Sequence, residues 1–261
     1  MPFLAANLSM MFNEYDFLDR FKAAADAGFT AVEYLFPYDF NAQEIARQLQ
    51  QYNLQQVLFN TVPGDWKNGE RGLASLPGRE QEFLDGVSKA LEYAAVLKCP
   101  RIHAMAGIVD DETKKPQHTE VYISNLSQAL TMCSAQQVDL LIEPINPINM
   151  PGYFLNNFQQ ACDILDQVNT ANTSAKLQFD FFHCQRIHGD VAKWIEMCKR
   201  HIAHFQIAGT PDRHEPDNGD LPYQEIIAAA ELHGFGNLAI GCEYLPAGNT
   251  EEGLSWCRHW L

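Results

Sequence analysis

The chain has 261 residues, 46% of them apolar, which is enough for a full hydrophobic core and argues against disorder. Its formal net charge of −15 argues against nucleic acid as a partner, because a phosphate backbone needs a basic footprint. No apolar stretch is long enough to span a membrane, and Met1 to Met10 lacks the basic region and long apolar block of a secretory signal.

Taken in chain order, a strand is expected near 3–8 and a helix near 14–27, closed by Gly28. A strand near 29–35 leads to a helix near 41–51, where Asn41 and Glu44 have capping-box spacing. Strand 54–60 precedes helix 80–97, strand 101–105 precedes helix 119–136, and strand 138–144 precedes helix 157–168. Strand 175–181 is followed by helix 189–199, strand 202–208 by helix 223–233 with Gly234 at its end, and strand 238–244 by helix 250–260. Asn249 and Glu252 again have capping-box spacing.

Eight strand–helix pairs in this length point to an α/β fold, a closed (β/α)8 TIM barrel forming one domain over 1–261. A doubly wound open sheet would carry a glycine-rich phosphate loop after its first strand. Asn7-Leu8-Ser9-Met10-Met11 has no glycine, and no Gly-x-x-x-x-Gly-Lys-Ser/Thr occurs. Three long segments, Thr61–Arg79, Gly107–His118 and Gly209–Leu221, fall after strands on the expected catalytic face, where long loops often serve as lids.

Four apolar runs in the second half end in a polar side chain suited to a metal: Leu140-Leu141-Ile142-Glu143, Leu177-Gln178-Phe179-Asp180, Ala203-His204-Phe205-Gln206 and Ile240-Gly241-Cys242-Glu243. Strand tips of a barrel converge, so these would offer a divalent cation four oxygens. Alone, Glu143 or Glu243 could cap a helix or pair with a cation, and Gln206 could bond a loop. Four together outweigh those readings.

Ala5-Ala6-Asn7-Leu8-Ser9-Met10-Met11-Phe12, Phe59-Asn60-Thr61-Val62-Pro63-Gly64-Asp65, Leu76-Pro77-Gly78-Arg79-Glu80, the block from Phe205 to Pro216, and Ile240-Gly241-Cys242-Glu243-Tyr244 resemble the hydroxypyruvate isomerase family of xylose isomerase-like TIM barrels. The likeness runs over essentially the whole chain. It implies isomerisation of a small hydroxy-oxo acid through an enediolate, with metal ligands at Glu143, Asp180, Gln206 and Glu243 and an acid/base pair at Glu143 and Glu243. Related barrels often carry histidine at the place of Gln206. An amide oxygen keeps the site all-oxygen and favours Mg²⁺ or Mn²⁺. Related barrels also use the histidine matching His183 on substrate oxygens.

Other candidates follow from chemistry. An acidic protein needs a local cation to hold an anionic substrate, and Arg213 in the family-like Pro211-Asp212-Arg213-His214 run can grip a carboxylate with two parallel bonds. An ion pair with Asp212 or Glu215 is the plainer reading. His103 either faces the substrate or fills a polar layer. Asn7, Asn60 and Glu215 are weaker pocket candidates, and Arg71 and Arg79 could close over a carboxylate from the long third loop. His183, Cys184 and His188 do not make a zinc site, for want of a fourth ligand with suitable spacing. Met10, Met11, Met105, Phe12 and Phe36 read as packing residues. Seven cysteines, an odd number without Cys-x-x-Cys spacing, fit free thiols in a reducing cytoplasm, with Cys242 on the strand face opposite Glu243.

The leading expectation is a metal-dependent isomerase converting hydroxypyruvate to tartronate semialdehyde. A four-carbon 2-oxo-tetronate is the near alternative. An epimerase or dehydratase on the same barrel, a metal-dependent phosphodiesterase, and a non-catalytic sugar-acid binding protein are the rivals. The phosphodiesterase would want more histidine ligands and a basic groove. A homo-oligomer is compatible with the sequence but not specified by it.

Overall fold

Strands buried on both faces favour continuous apolar runs joined by crossover helices, and the chain carries eight such strands joined by seven helical crossovers. The structure, a computed structural model, describes residues 3–261. Strands β1 (Phe3–Asn7), β2 (Ala31–Glu33), β3 (Gln55–Asn60), β4 (Arg101–His103), β5 (Asp139–Ile142), β6 (Lys176–Asp180), β7 (Ile202–Ile207) and β8 (Ala239–Cys242) pair in parallel in chain order, and β8 closes on β1. The expected barrel is the fold.

Side chains alternate across each strand. Val32, Ile102, Leu140, Ile142, Phe179, Phe205, Ile207 and Cys242 belong to the main core under the helices. The opposite face forms a small inner cluster of Ala5, Ala31, Val57, Leu58, Leu141 and Ala239, against which Phe3 and Ala203 pack. Inner positions nearer the C-terminal strand ends turn polar: Asn7 follows Ala5, Glu33 follows Ala31, and Glu143 follows Leu141 at two-residue spacing. Asn7, Glu33 and Glu143 thus gather at the C-terminal end of the barrel.

The helices are α1 (Arg20–Asp26), α2 (Ala42–Gln51), α3 (Glu80–Leu97), α4 (Lys115–Ala135), α5 (Phe158–Val168), α6 (Phe181–His188), α7 (Val191–Cys198) and α8 (Tyr223–Ala230). Several boundaries differ from the expectation. Residues 14–19 form tight turns, with Tyr15 N on Phe12 O and Asp19 N on Asp16 O, so α1 starts late. Asn41 caps α2 through the Gln43 amide. After β6 the chain enters α6 at once, because the Asp180 carboxylate accepts the Phe182 amide at 2.8 Å and caps a helix that periodicity did not reveal. Gly189, at φ 76°, ends α6, and Asp190 caps α7. The segment expected as a final helix over 250–260 is a 3-10 turn at Glu252–Trp256, headed by Asn249, whose side chain accepts from Glu251 and Glu252 amides.

Candidate active site

Glu143 and Glu243 sit one residue past β5 and β8, Asp180 ends β6, and Gln206 lies within β7. Register places Asp180 beside Gln206 and Gln206 beside Gly241. All four side chains are buried, at 4%, 4%, 0% and 1% exposure respectively. Glu143 Oε1 and Asp180 Oδ2 have no hydrogen-bond partner among the described residues. Two buried carboxylate oxygens without donors are costly unless a cation or ligand completes them. Ligand atoms of Glu143, Asp180 and His183 lie within 4.8 Å of one another. The two carboxylates of this group therefore fit a divalent cation.

His183 stands in the first turn of α6, with Nε2 3.5 Å from Asp180 Oδ2 and 3.9 Å from Glu143 Oε1. Its Nδ1 faces the Asn146 backbone N–H at 3.3 Å and the Asn146 side-chain amide at 2.7 Å. A backbone N–H can only donate. Asn146 Oδ1 already accepts from Ile148 and Asn149 amides, so its NH₂ also faces the ring. Nδ1 is therefore an acceptor, and the neutral imidazole carries its proton on Nε2, pointing at the carboxylates. That tautomer makes His183 a donor toward the site rather than a metal ligand, despite its proximity. Burial, and then Arg213, holds its pKa well below the usual range, so it is neutral.

Arg213 follows β7 in a left-handed conformation, φ 62°. It pairs with neither Asp212 nor Glu215. Its Nη2 donates to Glu243 Oε2 at 2.5 Å, its Nε to Glu243 O at 3.3 Å, and Nη2 is 3.5 Å from Asp180 Oδ2. The guanidinium also lies 5.1 Å from the Phe182 ring centre. His103 Nδ1 bonds Asn60 Oδ1 at 3.2 Å and lies 3.7 Å from Glu143 Oε2, while its Nε2 has no partner among the described residues. Burial pushes its pKa down to about 3.

Burial raises all three carboxylates. Glu143 is pushed well above the usual range by burial and then by the charges of Glu243 and Asp180. Burial pushes Glu243 up to about 8 against the opposing pull of Arg213, and Asp180 up to about 6, again against Arg213. Negative charge is in excess here, and a divalent cation would lower every one of these values.

Sequence reasoning missed Glu33, Gln178 and His204 beneath these residues and held Asn7 only as a weaker pocket candidate. Glu33, 1% exposed at the end of β2, accepts from Asn7 Nδ2 at 3.0 Å, Gln206 Nε2 at 2.8 Å and His204 Nε2 at 2.6 Å. Gln206 Oε1 in turn accepts from Gln178 Nε2 at 2.6 Å, and one lone pair of that oxygen remains for a cation. Asn7 Nδ2 also reaches Glu243 Oε1 at 3.4 Å. The available signal was position: Asn7 and Glu33 end strands as the four ligand candidates do, but single polar residues at short strand ends are common.

Other candidates lie elsewhere. Arg79 pairs with Glu70 and Glu82, and Arg71 stacks 4.0 Å over Trp66. Glu215 accepts the Ala247 amide at 3.2 Å, bracing the loop after β8. His188 stacks on Trp194 at 3.9 Å and Cys184 is buried in the core, and neither belongs to a group of metal-ligating side chains among the described residues. All seven cysteines are free and buried.

A family model described as a xylose isomerase-like TIM barrel matches residues 21–260. The chain is 48% identical over 261 residues to the 2-oxo-tetronate isomerase of Cupriavidus necator, covering 100% of this chain and 99% of that protein. It is 40% identical over 252 residues to the hydroxypyruvate isomerase of Escherichia coli, covering 97% and 96%. A crystal structure described as AP endonuclease, family 2, from Brucella melitensis superposes with TM-score 0.95 at 47% identity over 98% of each chain. A D-psicose 3-epimerase from Clostridium cellulolyticum H10, at 17% identity and TM-score 0.78 over 100% and 99%, shares the fold.

Proposed function

The chain belongs to the xylose isomerase-like TIM barrel family, and from that premise we propose that its strand-tip carboxylates move a proton between adjacent carbons of a small hydroxy-oxo acid. Isomerase names on full-length relatives at 48% and 40% identity support the reaction class. The observation that carries the site is the pair of donorless buried oxygens, Glu143 Oε1 and Asp180 Oδ2. We place the four-carbon 2-oxo-tetronate first, since a 48% identical relative bears that name, and hydroxypyruvate second. This reverses the order expected from the sequence.

In such a reaction a base removes the C3 proton of the 2-oxo acid, charge spreads over O2 and O3 as an enediolate, and a proton is delivered to C2. The hydroxyl proton passes from O3 to O2, so atoms balance. Glu143 and Glu243 are the proposed proton-transfer pair: burial raises their proton affinity, and a bound cation would lower it again toward the carboxylate form a base needs. Glu143, Asp180, Gln206 and Glu243 would hold Mg²⁺ or Mn²⁺, which when bound supplies positive charge against the developing enediolate. His183 donates its Nε2 proton to a substrate oxygen. Arg213 receives the substrate carboxylate by exchanging part of its hold on Glu243.

The Brucella protein's description as an endonuclease does not transfer readily. A phosphate backbone calls for a basic surface, whereas this chain carries −15 and Arg213 is committed to carboxylates. No helix among the described residues is long and apolar enough to cross a membrane, and seven free thiols support a reducing, cytoplasmic setting.

The deciding experiment offers three- and four-carbon 2-oxo-hydroxy acids in deuterated water with Mg²⁺ or Mn²⁺, before and after chelation. Product formation with deuterium entering at C2, abolished by chelation and restored by either ion, is expected. Full activity in metal-free protein would remove the metal from the reading, and substrate binding without deuterium uptake would favour a binding protein.

A further inference from the structure

We propose that Glu33 is a positioning residue of this site: one buried carboxylate at the end of β2 sets both the Gln206 amide and, through Asn7, the Glu243 carboxylate. Three donors converge on it. Oε1 accepts from Asn7 and Gln206 at 3.0 and 2.8 Å, and Oε2 accepts from His204 at 2.6 Å. A carboxylate is the only side chain of this size that offers acceptors alone to all three.

The consequences run in two directions. Holding Gln206 Nε2, with the Gln178 amide on its oxygen, forbids the flipped amide, so Gln206 Oε1 faces β6, the strand that Asp180 ends. The negative partner also polarises the amide and makes its oxygen a better ligand, as carboxylates do behind metal-bound histidines. Asn7 is oriented from its other end by Ser9, whose amide donates to Asn7 Oδ1 at 3.1 Å, so its NH₂ has to span Glu33 and Glu243. Three elements far apart in sequence thus share one hub.

Space has been left for this hub. A Cβ on Gly241 would lie 2.3 Å from the Glu33 carboxyl carbon and from both of its oxygens. Gly241 lacks a positive φ, so an alanine there meets no backbone objection and its steric effect falls on Glu33.

The inference rests on the proposed metal-dependent reading, and the test separates the two. Glu33→Leu, Glu33→Gln and Gly241→Ala are compared with the intact chain in Mn²⁺ titration, followed by the paramagnetic resonance of free Mn²⁺, and in kcat and KM at saturating metal. Glu33→Leu and Gly241→Ala should weaken Mn²⁺ binding by about 10–100-fold and lower kcat more than they change KM. Glu33→Gln should lose less, because its carbonyl keeps Asn7 and Gln206 while its NH₂ pairs with His204 once that ring moves its proton to Nδ1. If Glu33→Leu fails to fold, Gly241→Ala and Glu33→Gln decide the matter.

Folded variants with the original Mn²⁺ affinity and kcat would overturn the role of Glu33, as would a loss of thermal stability alone. An intact chain that binds Mn²⁺ without isomerising would sink the functional reading and leave Glu33 to be judged on affinity. An intact chain that does neither would overturn both.

Discussion

Glu143, Asp180, Gln206 and Glu243 come from the half of the barrel built by β5 to β8, whereas Asn7, Glu33, Asn60 and His103 come from β1 to β4. The first group presents oxygens without donors, at Glu143 and Asp180. The second is bonded inward, Asn60 to His103, Asn7 to Glu33, and Glu33 onward to Gln206. One half holds the proposed reactive groups, and the other bonds to two of them, Gln206 and Glu243. A fold of eight similar units thus draws its candidate ligands from β5 to β8 and much of their support from β1 to β4, while Gln178 and His204 add support from the layer beneath Asp180 and Gln206.

The sharpest way to break this contrast is to neutralise the presenting half. Glu143→Gln and Glu243→Gln keep size and an oxygen but not the proton-transfer role, so kcat should fall by about 10²–10⁴-fold with thermal stability retained. Near-normal turnover in both would move the proton transfer elsewhere. Arg213 comes next. Lysine keeps its charge but not its two-pronged grip, so Arg213→Lys should raise KM more than it lowers kcat, and Arg213→Ala should cost about 2–5 kcal/mol in kcat/KM. Running an oxo acid beside its uncharged aldehyde analogue tests the assignment. Equal losses for both would mean that Arg213 serves only to hold Glu243.

The supporting half should respond differently. Asn60→Ala strands His103 Nδ1 in a buried place and should cost about 1–3 kcal/mol of stability, while kcat changes by less than about tenfold. A larger kinetic than thermodynamic effect would put Asn60 among the presenting residues.

The smallest expected effect concerns pH in chelator. Burial pushes Glu243 from 4.5 up to about 8 and Asp180 from 3.8 up to about 6. Raised values mean that the metal-free fold keeps protons which the unfolded chain has lost. The stability these groups contribute is therefore full below about pH 4 and is lost progressively as pH rises toward 6 and then 8. Melting temperature from pH 5 to 8.5 should fall, and Glu243→Gln should flatten the slope. A rising melting temperature with no difference between the two proteins would contradict this picture.

The barrel was legible because eight apolar runs alternate with helical periodicity, and the ligand candidates because four runs end in an oxygen-bearing side chain. What escaped was pairing across sequence distance. Glu33 stands 173 positions from Gln206 and 171 from His204, and no local pattern announces a carboxylate whose partners lie that far off. The α6 helix escaped for the opposite reason: its cap, Asp180, already had a role as a strand-tip ligand, and one residue serving two purposes hides the second. Arg213 was found, but its grip on Glu243 could not be read from a sequence that puts Asp212 and Glu215 closer at hand.

Asp180 holds α6 by one oxygen and opens the other to the site. Whatever fastens that second oxygen also restrains the first, and by reciprocity an intact helix favours the occupied site. Amide protons of His183 and Cys184, in the opening turn of α6, should then exchange with solvent more slowly once the ion is bound. The ion would leave a trace of its occupancy in the breathing of a helix whose other end never touches it.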